Sequence, residues 1–199
     1  MAVETEVKIE LSDADEFRRE LRLLNATLLS GRHFEDNFVL DFPDGRLRSQ
    51  SCLLRVRKTK GEESVTFKGP PQPSALFKSR EEVETQVADS DTMLRLFEHL
   101  GMTVWFRYQK FREEYSIPAG AGPEEVVKVA LDSTPIGEYA ELEGSEGGIR
   151  EIAEKLGLSQ SRFLRESYYG LYVQFCRQNG ASPKHMVFPE QGGEFGIPG

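Results

Sequence analysis

The stretch Val3-Glu4-Thr5-Glu6-Val7-Lys8-Ile9-Glu10 decides how the rest of the chain is read. Val3, Thr5, Val7 and Ile9 share one parity, and Glu4, Glu6, Lys8 and Glu10 share the other. A period of two marks a β-strand with two unlike faces. In an ordinary half-buried strand the charged face meets bulk water. Whether Glu4, Glu6 and Lys8 do so, or face a closed polar interior, depends on what the other strands carry.

Outward from this stretch the same pattern recurs. Arg55 and Arg57 share a face, as do Thr66 and Lys68, and Arg80, Glu82 and Glu84 alternate through S-R-E-E-V-E. Lys110, Arg112 and Glu114 follow, then Lys128 with Asp132, then Glu141 with Glu143. The set contains eight bases (Lys8, Arg55, Arg57, Lys68, Arg80, Lys110, Arg112, Lys128) and eight acids (Glu4, Glu6, Glu82, Glu84, Glu114, Asp132, Glu141, Glu143). Two readings are open: solvated ionic faces, or a barrel with an ionic lumen and an apolar outer face under helices. In a lumen each charge must be paired, or hold a metal or a charged ligand, because desolvating one alone costs several kcal/mol. Carboxylates of a Glu-x-Glu pair project about 6–7 Å apart along a strand. Such oxygens suit Mg²⁺ or Mn²⁺, whereas Arg and Lys grip phosphate oxygens. Together they equip a site for phosphoryl chemistry.

Between the strands lie helix signals. Ser12 or Asp13 can cap a helix carrying Phe17, Leu21 and Leu24, and a second helix from about Ser90 to Leu100 stops at Gly101. Extended segments are expected over Thr27–Phe42, Leu53–Thr59, Ser64–Lys68, Phe77–Val87, Thr103–Ile117, Val126–Asp132 and Tyr139–Glu143. Pro43-Asp44-Gly45, Lys60-Gly61 and Pro135–Gly137 mark turns, and Pro118–Pro123 a loop. Helices are then expected over Gly148–Leu156 and about Ser161–Arg177. This is an α+β pattern: many antiparallel strands with a few helices between them.

Composition narrows the classes. The 199 residues are 38% hydrophobic and 29% charged, as in a globular domain. A net charge of −8 argues against a nucleic-acid binder. No apolar run reaches the length of a membrane span. The strand pattern begins at the third residue, and Cys52 and Cys176 show no pairing or metal motif. A reduced, cytoplasmic protein without a leader is expected. His33, His99 and His185 have no histidine partner at helical spacing. Trp105 and Phe106 are expected on the outer face under a helix. Tyr168, Tyr169 and Tyr172 are expected to join a helix to the barrel.

The ordered motifs resemble those of the CYTH superfamily, also called triphosphate tunnel metalloenzymes. Glu4-Thr5-Glu6-Val7-Lys8 resembles its E-x-E-x-K signature. L-R-V-R (Leu54–Arg57), F-K-G-P (Phe67–Pro70), S-R-E-E-V-E (Ser79–Glu84), Lys110-Phe111-Arg112, L-D-S-T-P-I-G-E-Y-A-E-L-E (Leu131–Glu143) and S-Y-Y-G-L (Ser167–Leu171) follow in that family's order. The resemblance implies an eight-stranded antiparallel β-barrel tunnel with helices outside, in a domain over residues 1–178 followed by an irregular tail over 179–199. It implies Glu4, Glu6, Asp132, Glu141 and Glu143 as a shell for Mg²⁺ or Mn²⁺, with Glu82 and Glu84 as further candidates on a facing wall. Lys8, Arg55, Arg57, Lys68, Arg80, Lys110 and Arg112 would hold a triphosphate. Glu4, Glu6, Lys8, Lys110, Arg112 and Glu143 would carry catalysis. The implied substrate is ATP, inorganic triphosphate or thiamine triphosphate. The branch that the motifs look most like is labelled class IV adenylyl cyclase, and the motifs do not separate cyclase from hydrolase. The alternative is a non-catalytic module that binds polyphosphate or nucleotide. Homodimers are common in this family.

Overall fold

Eight strands close into one barrel, every neighbouring pair antiparallel, in the order β1-β5-β4-β3-β2-β6-β7-β8 and back to β1. The computed structural model describes residues 3–74, 76–120 and 125–189. The strands are β1 (Val3–Leu11), β2 (Thr27–Asp41), β3 (Leu53–Thr59), β4 (Glu63–Lys68), β5 (Lys78–Val87), β6 (Thr103–Pro118), β7 (Val126–Thr134) and β8 (Gly137–Glu143). The helices are α1 (Ala14–Leu23), α2 (Arg46–Ser49), α3 (Ser90–His99), α4 (Glu146–Lys155) and α5 (Tyr168–Gln178). Part of the expected loop Pro118–Pro123 and the last ten residues of the tail lie outside the described residues. No helix among the described residues is long and apolar enough to cross a membrane.

The parity of the first strand sets the inside and outside of the barrel. Val7, Ile9 and Leu11 point outward and pack with Val127, Val129, Leu131, Ala140 and Leu142 beneath Phe17 and Leu21 of α1 and Ile149 and Ile152 of α4. A smaller cluster seats α3, through Leu94 and Phe97, on Leu40, Val56 and Leu54 of β2 and β3. Val3, by contrast, is 54% exposed and lies under no helix. Four of these five helix starts have a side-chain cap: Asp13, Asp89, Ser145 and Ser167 accept hydrogen bonds from first-turn backbone N–H groups, whereas α2 follows Gly45. Gly101, at φ +85°, ends α3 in the left-handed conformation that a side chain disfavours.

Three expectations are corrected. The last helix begins at Tyr168, not near Ser161, because Leu164 exchanges two backbone hydrogen bonds with Lys8 (3.1 and 2.8 Å). It fills the edge of β1 where β5 has ended, at the Glu6–Lys78 pair. Phe106 faces the barrel interior, stacked on Tyr108, and Trp105 packs against Tyr169 of α5. The start of α5 closes one end of the barrel, so these rings meet it from within. The tail docks in part: Met186 bridges to Tyr108 along the edge of β6 that β7 does not reach, and its side chain is buried with Tyr168 and Leu171.

Leu142 is fully buried between β8 and the outer helices. Truncation in Leu142→Ala is expected to cost about 2–5 kcal/mol of stability in a denaturant titration. A loss under about 1 kcal/mol would mean that the helices do not seal this face.

Candidate active site

The inner parity of all eight strands lines a cavity of about 1060 Å³. Fifteen of the sixteen charges singled out above border it, and Asp132 lies just beneath its surface against two of them. The solvated-face reading is thereby excluded.

The floor is a closed ionic network. Arg112 donates to both oxygens of Asp132 (2.7 and 2.6 Å) and also to Glu141. Lys110 reaches the same carboxylate at 2.9 Å, and the Tyr168 hydroxyl donates to it at 2.5 Å. Lys8 donates to Glu141 at 2.6 Å, and its ammonium lies 4.4 Å from the centre of the Tyr168 ring. Glu35 completes the set, with Arg57 at 3.3 Å and Lys110 at 3.5 Å. The strand register produces these pairs, since Arg112 stands opposite Asp132, Lys8 opposite Glu141 and Lys110 opposite Glu35. His33 lies 3.7 Å from Glu35 as a satisfied surface group.

Above the floor the charges are less evenly matched. Lys68 holds Glu4 at 2.5 Å and Glu82 at 2.8 Å, and Lys78 holds Glu6 at 3.1 Å. Arg55 bonds Thr66 (3.0 Å) and Tyr108 (3.4 Å) and lies 3.5 Å from Glu84. Its Nε is buried without a partner. Arg80 is 8% exposed, makes no ion pair within 4 Å among the described residues, and also buries an unpartnered Nε. Burial pulls its guanidinium below the ordinary arginine value, and Glu6 and Glu4 offset this only in part. A buried cation that lacks a carboxylate is costly unless an anion completes it.

The acids on the same side show the converse. Burial, and then a hydrogen bond with Glu82, push Glu4 up to about 7. Burial and the nearby Glu4 raise Glu143. Like charges that crowd in this way are relieved by a proton or by a cation. No three carboxylate, histidine or thiol groups among the described residues converge into a finished metal cage. The donor set still fits Mg²⁺ or Mn²⁺, which are commonly held by one or two carboxylates together with substrate phosphates and water. Of the expected metal shell, Glu4, Glu6 and Glu143 lie in this acid-rich region beside Glu82. Asp132 and Glu141 are instead taken up by Lys8, Lys110 and Arg112 in the floor.

Lys78, Glu35, Tyr108 and Tyr168 were not among the expected site residues. The first three were legible, for Lys78 shares the parity of Arg80, Glu35 that of Val39, and Tyr108 that of Lys110. Tyr168 was not, because its place depends on α5 entering the barrel end.

Comparison with known proteins agrees with the geometry. Residues 2–168 match the CYTH domain, and the chain belongs to that family. A protein of Methanocaldococcus jannaschii named as a candidate adenylate cyclase is 27% identical over 180 residues, covering 85% of this chain and 98% of that one. The crystal structure of a candidate adenylate cyclase from Vibrio parahaemolyticus superposes with a TM-score of 0.68 at 19% identity, over 83% of this chain and 94% of that one. A candidate adenylyl cyclase from Hippeastrum, described as having a dominant triphosphatase activity, superposes with a TM-score of 0.60 at 17% identity, over 90% and 97% of the two chains. At these identities the two structures establish the shared fold.

Two predictions follow from the ionic pattern. Asp132→Ala removes the carboxylate that two buried cations share, leaving Arg112 only Glu141 and Lys110 only Glu35, and is expected to destabilise the fold by about 3 kcal/mol. The half-exposed Glu143 carries no such load, and Glu143→Gln should stay within about 1 kcal/mol. Comparable losses in urea melts of the two variants would refute the floor assignment. Acid is expected to weaken the fold. Burial alone would raise Glu6, Glu35 and Glu141, but Lys78, Lys110 and Lys8 respectively hold them below the ordinary 4.5, Glu6 at about 2. Their stabilisation is complete above about pH 4.5 and is lost as pH falls below it, that of Glu6 through about 2. Glu4 acts in the opposite sense, its contribution fading as pH rises through about 7. Melting temperatures that do not fall between pH 5 and pH 3 would contradict the balance.

Proposed function

We propose that this protein is a divalent-metal-dependent enzyme that acts on a triphosphate bound within the barrel, by hydrolysis or by cyclisation of ATP. The observation that carries this reading is the buried Arg80, which has no ion pair among the described residues, lining the same cavity as Arg55 and Lys68. A polyphosphate chain supplies what these groups need: several oxygens, arranged linearly, each able to accept a charge-assisted hydrogen bond. Names of relatives support the same class, as adenylate cyclase in the M. jannaschii protein and triphosphatase in the Hippeastrum one.

Arg80 and Arg55 take phosphate oxygens as forked donors, and Lys68 as a point charge. Deeper in, Lys8, Lys110 and Arg112 present charge from fixed positions, because Asp132, Glu141 and Tyr168 hold them before any substrate arrives. Such preorganisation avoids reorganising dipoles as charge shifts between phosphorus and leaving oxygen. A bound Mg²⁺ or Mn²⁺, held by Glu4, Glu6 and Glu143 with help from Glu82, would neutralise phosphate charge. The carboxylates would then release Lys68 and Lys78 toward the substrate. A module that only bound phosphate would need the bases alone, so the acid-rich wall favours catalysis over sequestration.

Incubation with ATP, inorganic tripolyphosphate and thiamine triphosphate, each with Mg²⁺ or Mn²⁺, is expected to yield product from at least one of them. Cyclic AMP with pyrophosphate marks the cyclase, and orthophosphate marks the hydrolase. No product from any would overturn the enzymatic reading. Arg80→Ala is expected to weaken tripolyphosphate binding by about tenfold or more, since a charge-assisted hydrogen bond contributes about 1.5–3 kcal/mol. Glu143→Ala should abolish metal-stimulated turnover while leaving the melting temperature within a few degrees.

A further inference from the structure

Cys52 borders the cavity and has no part in the chemistry proposed above. The parity of β3 would turn it outward with Leu54 and Val56, but the strand begins only at Leu53. At Ser51 the backbone is left-handed (φ +57°), which breaks the alternation one residue before the thiol. The position is fixed from behind. Buried Asp41 accepts a hydrogen bond from the backbone N–H of Leu47 at 3.0 Å, and the Leu47 carbonyl accepts one from that of Cys52 at 2.8 Å. The Cys52 side chain stays partly exposed, and its thiol donates only weakly, to the Gln50 carbonyl at 3.7 Å.

The surroundings suit an anionic visitor. The sulfur lies within electrostatic reach of Arg80, which is 8% exposed, has no ion pair among the described residues, and buries an unpartnered Nε. Eleven basic and seven acidic residues line the cavity, in a chain whose net charge is −8. Asp132 and Glu35, just beneath the lining, still leave the bases in excess. A cleft with one sign of charge in excess speeds association with ligands of the opposite sign by about tenfold or more. Arg80 then offers an incoming carboxylate a forked, charge-assisted seat beside the sulfur.

We infer that Cys52 is a covalent modification site for anionic disulfides, and that the mixed disulfide closes the cavity to triphosphate. The closure rests on the triphosphate reading of the cavity; the modification does not. The Cys52 thiolate attacks one sulfur of the incoming disulfide, and the new S–S bond forms as the old one breaks. The departing half leaves as a thiolate with the electron pair, and the proton of Cys52 passes to solvent. The half retained on Cys52 lays its carboxylate against Arg80, where a phosphate would otherwise sit. Cys176, 3% exposed, is the chain's other thiol and is too buried to compete. A small external thiol reverses the exchange and reopens the site.

The probes are oxidised glutathione, an anionic disulfide, and cystamine, a cationic one, applied to the full chain and followed by intact mass. Each rate is taken relative to that of β-mercaptoethanol with the same probe. One glutathione per chain is expected, at a relative rate about tenfold or more above that of cystamine. High salt should erase this preference, and Arg80→Ala should reduce it. Cys52→Ser should take no label and bind tripolyphosphate as the unlabelled wild type does. Labelled wild type should bind tripolyphosphate about tenfold or more weakly, the scale of a lost charge-assisted contact, until dithiothreitol restores it. Equal relative rates for the two probes, no label on Cys52, a preference undiminished in Arg80→Ala, or unchanged tripolyphosphate binding after labelling would each overturn the inference. If unlabelled wild type binds no tripolyphosphate, in EDTA or in Mg²⁺, while labelling stays selective, the triphosphate reading falls and the modification site stands.

Discussion

Every inward side chain of this barrel answers to one constraint: a charge enclosed by low-dielectric walls has to be compensated within reach of its own head group. Asp132 shows how strictly this is met. Two oxygens serve Arg112, Lys110 and the Tyr168 hydroxyl, so one carboxylate organises groups from β6 and α5 around β7. Losing it leaves Arg112 with Glu141 and Lys110 with Glu35 as their remaining carboxylates. The floor is therefore rigid for electrostatic reasons, and the bases it presents are aimed before a ligand arrives.

The upper wall departs from this rule, and the proposed function rests on the departure. Arg80 is buried with no ion pair among the described residues, and Glu4 and Glu143 are crowded enough that burial and like charge raise both. A site that tolerates a lone cation next to repelling acids stores unmet electrostatic demand of both signs. The proposed polyphosphate with a divalent cation would meet both demands at once. The same groups, balanced in pairs as in the floor, would have been a structural core.

Much of this was legible along the chain because β-structure converts parity into side. The alternation of Glu4, Glu6 and Lys8, repeated in Arg55/Arg57, Arg80/Glu82/Glu84 and Lys110/Arg112, named much of the charged lining. Lys78 and Glu35 obey the same parity and could have been added. The division of labour among the acids was not legible. Asp132 and Glu141 look like Glu4 and Glu143 in the sequence, and only cross-strand register, placing Arg112 opposite Asp132 and Lys8 opposite Glu141, makes them anchors for bases.

The sequence by itself determined the strands and their two unlike faces, since both follow from local periodicity and residue type; the barrel was implied by the family resemblance, and the closed sheet turned the charged faces into a lumen. Tertiary structure decided which charges cancel and which are left over, because compensation depends on distances between residues as far apart as Lys8 and Glu141. It also decided where the tyrosines of α5 go. Leu164 pairs with Lys8 at the free edge of β1, and this carries Tyr168 into the floor and Tyr169 to Trp105. No periodicity in Ser167-Tyr168-Tyr169-Gly170-Leu171 reports that destination, because it is set by an unfilled strand edge more than 150 residues earlier.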